Sequence, residues 1–329
     1  MGIYLGANEL STGGGSGGGD PVNSVVRLYV GDSTTYTDEN GGFYLKTGNI
    51  INADPTNYPN AIISTILTDY TNKDLTEEST KRAIALNNDG TKMYIIGSAQ
   101  DAVKEYSLST AFNVFTATYT QDFYVGNEDL NPYGITFNSD GTKMYIVGVS
   151  TDTVYEYILS TAFNVSTATL NQSFSVAAKD SVPEDIVFNT DGTIMYIAGG
   201  ANDSIYQYSL STAFDISTAV FTKSLLLTSE QPNGMAFNSD GTKMYIVDGF
   251  TDSLVIYFLS IAFDISTAVQ QGFYDLSNSF ATPEGIVLSS NDQFMYIVGS
   301  QSSTVRQYTY SEKMGNPTDT GANDYIKLK

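Results

Sequence analysis

Asp140-Gly141-Thr142-Lys143-Met144-Tyr145-Ile146 recurs along this chain, and its recurrence decides the fold. The same heptapeptide stands at 89–95 and 240–246, a variant with Ile in place of Lys at 191–197, and a worn copy at Asn291-Asp292-Gln293-Phe294-Met295-Tyr296-Ile297. The Met-Tyr pairs begin at 93, 144, 195, 244 and 295, giving spacings of 51, 51, 49 and 51 residues. Self-similarity at a fixed period of this length means a stacked or closed array. The second unit shows the grammar: strand A at Gly134–Phe137, an Asp-Gly turn, strand B at Lys143–Val147, and strand C at Thr153–Tyr157. A connector, Leu159–Val165, then leads to an outer strand D near 166–176. Short strands, hairpin turns and no helical period predict an all-β protein built of four-stranded β-propeller blades.

The connector occurs at Leu108–Val114, Leu159–Val165, Leu210–Ile216 and Leu259–Ile265. The fifth unit ends at Thr304-Val305-Arg306-Gln307-Tyr308 without one, so its outer strand is expected from upstream, within 61–70, where Ala61–Thr68 is an apolar run. The sequence thus predicts a five-bladed propeller over 61–310, with blades near 84–127, 133–176, 184–227, 233–276 and 284–310. A six-bladed ring is the alternative if residues 24–60 supply strands. Ahead of the propeller, Ile3-Tyr4-Leu5 and a tract of glycines read as an anchor peptide on a flexible tether, residues 1–20. Ser24–Val30 and Gly42–Lys46 read as two strands of a small β region at 21–60, and 311–329 as a loose tail.

Charged residues are only 16% of the 329, and 36 acids against 15 bases leave a net charge of −21. That charge excludes a nucleic-acid face. With neither Cys nor His, disulfides, thiolate or imidazole metal sites and Ser–His–acid triads are all excluded. No apolar stretch is long enough for membrane insertion, and the amino terminus lacks a secretory signal.

On the propeller face that carries the B–C and D–A loops, the B–C turns place Asp101, Asp152, Asp203 and Asp252, with Ser303 breaking the ring. The D–A loops add Glu184 and Glu284. A rim of carboxylates suits Ca²⁺ or a cationic or sugar ligand; the competing reading is that aspartate at these turns serves the backbone. Glu184 and Glu284 also form a candidate pair for glycoside hydrolysis. On the opposite face Asp89-Gly90, Asp140-Gly141, Asp191-Gly192 and Asp240-Gly241 read as structural hairpin turns. The Met-Tyr pairs and Phe112, Phe163, Phe214 and Phe263 are expected to pack between blades. No cofactor is expected.

The blade repeats resemble those of YVTN-type β-propellers, a likeness specific for architecture and silent on activity. Met1–Gly6, the glycine tract and Gly42–Gly48 resemble the opening of tail and fibre proteins of tailed phages. That resemblance implies a virion structural protein assembled in the host cytoplasm, in multiple copies, docking to other virion or tail proteins through its amino terminus. It implies a propeller turned towards a host-surface glycan or protein. The alternatives are a capsid decoration or scaffold protein, and a propeller enzyme such as a lactonase or glycan hydrolase.

Overall fold

The computed structural model describes residues 38–39, 42–46, 67–228, 231–277, 279–280, 282–301, 304–310 and 325–328. The chain divides into two compact units, Asp69–Gln270 with Tyr274–Tyr310, and Met1–Thr68 with Gln271–Phe273 and Ser311–Lys329. In the smaller unit Gly42–Lys46 is the centre of a three-stranded sheet, flanked by Asp38–Glu39 and Tyr325–Leu328, antiparallel to both. The carboxy terminus therefore supplies a strand where the sequence suggested a loose tail. Alternation at Tyr325-Ile326-Lys327-Leu328 suits the edge of a sheet. Ile3, Tyr4, Leu5, Ser24–Val30 and Ser303 lie outside the described residues.

The larger unit is a propeller of five four-stranded antiparallel sheets. The innermost strands are Lys81–Leu86, Pro132–Phe137, Pro183–Phe188, Pro232–Phe237 and Pro283–Leu288, and each packs against the next around a closed ring. Residues 61–66 lie outside the described residues; the fifth sheet takes its outer strand from Leu67–Asp74, which overlaps the expected 61–70 and continues past it. The reason lies in what outer strands require. Ala117–Tyr124 and its equivalents are largely exposed, so a mixed segment such as Leu-Thr-Asp-Tyr-Thr-Asn-Lys-Asp fits better than an apolar one.

A single lock joins the recurring pieces of the repeat. Each connector Phe sits at positive φ, between 57° and 61°, an unfavourable region for a bulky side chain. The compensation is mutual. Phe163 N–H donates to the carbonyl of Gly141 at 2.8 Å, and the Phe163 ring lies where a Cβ on Gly141 would stand. The Phe163 carbonyl, turned outward, accepts the hydroxyl of Tyr94 in the preceding blade at 2.6 Å. Tyr145 donates likewise to Phe214, Tyr196 to Phe263, and Tyr296 to Phe112 across the seam where the last blade meets the first. These tyrosines and their Met neighbours are fully buried, as the sequence suggested. The Asp-Gly turns complete the lock: the Asp140 carboxylate accepts both the N–H and hydroxyl of Thr142, with the same pattern at Asp89, Asp191 and Asp240.

Two substitutions separate the parts of this lock. Tyr145→Phe removes one buried hydrogen bond and lowers unfolding stability by about 1–2 kcal/mol. Gly141→Ala forces both the positive φ of 71° and the ring contact; it lowers stability by about 2–4 kcal/mol. Denaturant unfolding measures both, and a larger loss for Tyr145→Phe than for Gly141→Ala contradicts the assignment.

Candidate functional site

The inner strands approach one another backbone to backbone. A Cβ at Gly134 would lie 2.8 Å from the Asp185 Cα, and one at Gly285 would lie 2.6 Å from the Ala83 Cα. With so little room, the positions that face the next strand near the strand starts are alanine or glycine in four blades, Asp185 being the exception. Every blade resolves this in one way. Pairing of the inner strand with its neighbour skips one residue: Arg82 between Lys81 and Ala83, then Tyr133, Glu184, Asn233 and Glu284 at the equivalent place. Each is the extra residue of a β-bulge, a device that re-aims a side chain. The five bulges gather five dissimilar side chains at the D–A end of the central channel.

Those side chains interact. Arg82 Nη1 donates to Glu284 Oε1 at 2.8 Å, and its guanidinium lies 4.2 Å over the Tyr133 ring. Asn233 Nδ2 donates to Glu284 Oε2 at 3.2 Å. Glu184 and Glu284 are only 6% and 5% exposed, and Oε2 of Glu184 has no hydrogen-bond partner among the described residues. Burial pushes the Glu184 carboxyl up to about 8, Glu284 adds to the rise, and Arg82 opposes it. Burial raises Glu284 as well, against the Arg82 charge and a hydrogen bond from Ser300. Beneath them Asp185 replaces the small residue of the other blades. Its oxygens accept the N–H groups of Ile186 and Met235, both at 2.8 Å, while burial lifts it to about 7.

The four turn aspartates do not join this group. Asp101, Asp152, Asp203 and Asp252 occupy B–C turns at φ values of 47° to 50°, a left-handed conformation that aspartate tolerates. Their carbonyls accept the N–H that follows each outer strand, from Val125, Val176, Leu227 and Leu276, at 2.8 Å. The expected single rim is thus two sets, turn aspartates farther out and bulge residues on the innermost strands. Among the described residues no three acidic side chains come close enough to hold a metal ion such as Ca²⁺.

Sequence reasoning missed a third set. Asp129, Asp180 and Asp248 are buried and tie the D–A loops to the B–C turns. Asp129, for example, accepts the N–H of Asn131 at 2.7 Å and of Thr151 at 2.9 Å. An Asp three residues before a Pro, at Asp129/Pro132 and Asp180/Pro183, was the available signal. Towards its opposite, A–B end the channel widens into a cavity of about 390 Å³, walled by Ile84, Ile135, Met235 and Ile286 and rimmed by Asn88, Ser139, Thr190, Ser239 and Ser290.

A family model described as "Lactonase, 7-bladed beta-propeller" matches residues 127–328. No curated protein matches the chain. Among solved structures it is similar to a protein from Lactobacillus plantarum, with 14% identity, 71% of this chain and 69% of that one covered, and a TM-score of 0.46. A functionally unknown protein from Desulfotomaculum acetoxidans shares 12% identity over 72% of this chain and 67% of that one, TM-score 0.44. Hydrazine synthase of Kuenenia stuttgartiensis shares 12% identity over 72% of this chain and 97% of that one, TM-score 0.44.

The raised Glu184 carboxyl has a consequence for stability. Its contribution is full below the ordinary glutamate value of 4.5 and is lost as pH rises through about 8. Glu184→Gln stays neutral throughout and escapes that loss. The variant therefore gains about 1–3 kcal/mol over the parent between about pH 5 and pH 8. Unfolding curves across that range test it, and parallel pH profiles for the two proteins contradict it.

Proposed function

This chain belongs to the lactonase β-propeller family; within that fold we propose that it is a binding and assembly module of a virion, an attachment-type component whose propeller is the head. The observation that carries the binding reading is the self-contained network at the D–A end of the channel. Arg82, Glu284, Asn233 and Tyr133 are engaged with one another, where a hydrolase would present reactive groups to its substrate. Blade 4 adds an outer surface for a neighbour. Phe258, Ile261 and Val269 are exposed there, at positions where the other blades carry mostly Ser or Thr. The resemblance of the amino-terminal segment to phage tail proteins supports the virion setting and a docking role for residues 1–20. Several copies then bind a host-surface glycan or protein by summed weak contacts.

Hydrolysis of a lactone or glycosidic bond is the second reading. It is favoured by the family and by two neighbouring carboxyls held in unlike environments, the pattern of an acid paired with a base.

Antibody against the purified chain is expected to label purified particles, and deletion of residues 1–20 to leave a folded protein that fails to join them. Normal incorporation of the truncated protein contradicts the docking role. Absence of label, together with turnover of lactones or aryl glycosides that Glu284→Gln abolishes, replaces the binding reading with the enzymatic one.

A further inference from the structure

The D–A end of the channel has a charge arrangement that goes beyond either reading. Its ring holds one cation, Arg82, for two carboxyls, Glu184 and Glu284. Arg82 is committed to Glu284, and Asn233 takes the second oxygen of the same residue. The nearby carboxyls are also committed. Asp180 accepts the N–H groups of Val182, Ala201 and Asn202, and Asp185 accepts those of Ile186 and Met235. Glu184 alone among these has an oxygen that accepts nothing from a described residue. It is held there by the bulge, only 6% exposed, at an end of the channel where the Arg82 side chain is still 20% exposed. A buried acceptor without a partner is unfavourable, and more so when charged.

We propose that this end of the channel binds a single organic cation, a primary ammonium or a guanidinium group, with the Glu184 carboxylate as its principal acceptor. Without the ligand Glu184 keeps a proton for want of a counter-charge. The charged groups facing it, Glu284, Asp180 and Asp185, all favour that proton, and Arg82 alone opposes it. When the cation arrives, the carboxyl O–H bond breaks, the proton passes to the buffer, and N–H donors of the ligand take its place at the oxygen. A metal ion is a poor fit, because no three acidic side chains converge among the described residues. The cation can come from a free amine or from a lysine or arginine of a partner protein.

Calorimetric titration of the full chain distinguishes these sources. The probes are propylammonium, methylguanidinium and a lysine tripeptide blocked at both ends. Saturable binding is expected with release of protons near neutral pH, seen as heats that differ between buffers of unlike ionisation enthalpy. Glu184→Gln, which keeps shape and neutrality, weakens binding by about tenfold or more and abolishes the proton release. Asp152→Asn, on a turn outside the ring, leaves both unchanged. A tripeptide that binds more tightly than the free amines identifies a partner's side chain as the ligand, and equal affinities identify the small cation. No saturable binding of any probe, or binding that Glu184→Gln leaves intact, overturns the proposal. Neither result bears on particle labelling, so this site and the virion reading stand or fall separately.

Discussion

Five inner strands run so close together that their backbones are nearly in contact, and the rest of the propeller accommodates that crowding. Alanine or glycine stands at Ala83, Gly134, Gly234 and Gly285 because a larger side chain would meet the next strand. The exception, Asp185, is accommodated by turning its carboxylate onto the N–H groups of its own strand and the next. The bulge beside each of these positions turns one side chain per blade out of the crowded layer. Blade geometry thus produces the ring of Arg82, Tyr133, Glu184, Asn233 and Glu284 without any blade being specialised in backbone. What is specialised is the residue each bulge carries.

Farther out, the blades are held by contacts that repeat almost unchanged. Four of the Met-Tyr tyrosines, Tyr94, Tyr145, Tyr196 and Tyr296, reach into the next blade, and the strained connector Phe is stabilised by the Asp-Gly turn beneath it. Buried polar groups reinforce the seams: Glu105 accepts the N–H of Val165 in the next blade, and Gln307 accepts that of Val114 across the closing seam. Each of these satisfies a backbone donor that would otherwise be buried without a partner. The uniform outer framework leaves the inner ring free to differ from blade to blade, which is where a binding function can reside.

The repeat was legible because its residues answer to local rules. Asp-Gly reports a tight turn, and a Met-Tyr pair at fixed period reports buried strands, so strand order followed from spacing and turn residues, and five blades from the number of repeats, with a sixth left open by residues 24–60. The closing strand shares Leu67-Thr68-Asp69-Tyr70 with the stretch the sequence indicates and runs on to Asp74, past the apolar residues, because an outer edge in this propeller is half polar. Glu184 and Glu284 stood out as the only glutamates at their repeat position. Arg82, Tyr133 and Asn233 did not, since a bulge leaves no mark in residue type. The turn aspartates recur for the reason the turn reading gives: each holds a left-handed backbone conformation that aspartate adopts more readily than most residues.

The most direct test of the account is a carbon-13 titration of the glutamate side-chain carboxyls in the folded protein. Placement of Glu184 in a buried ring beside Glu284 predicts one resonance that titrates near 8 and disappears in Glu184→Gln. If every glutamate titrates in the ordinary range, within about one unit of 4.3, the bulges do not bury Glu184 at the channel end and the site described here does not exist.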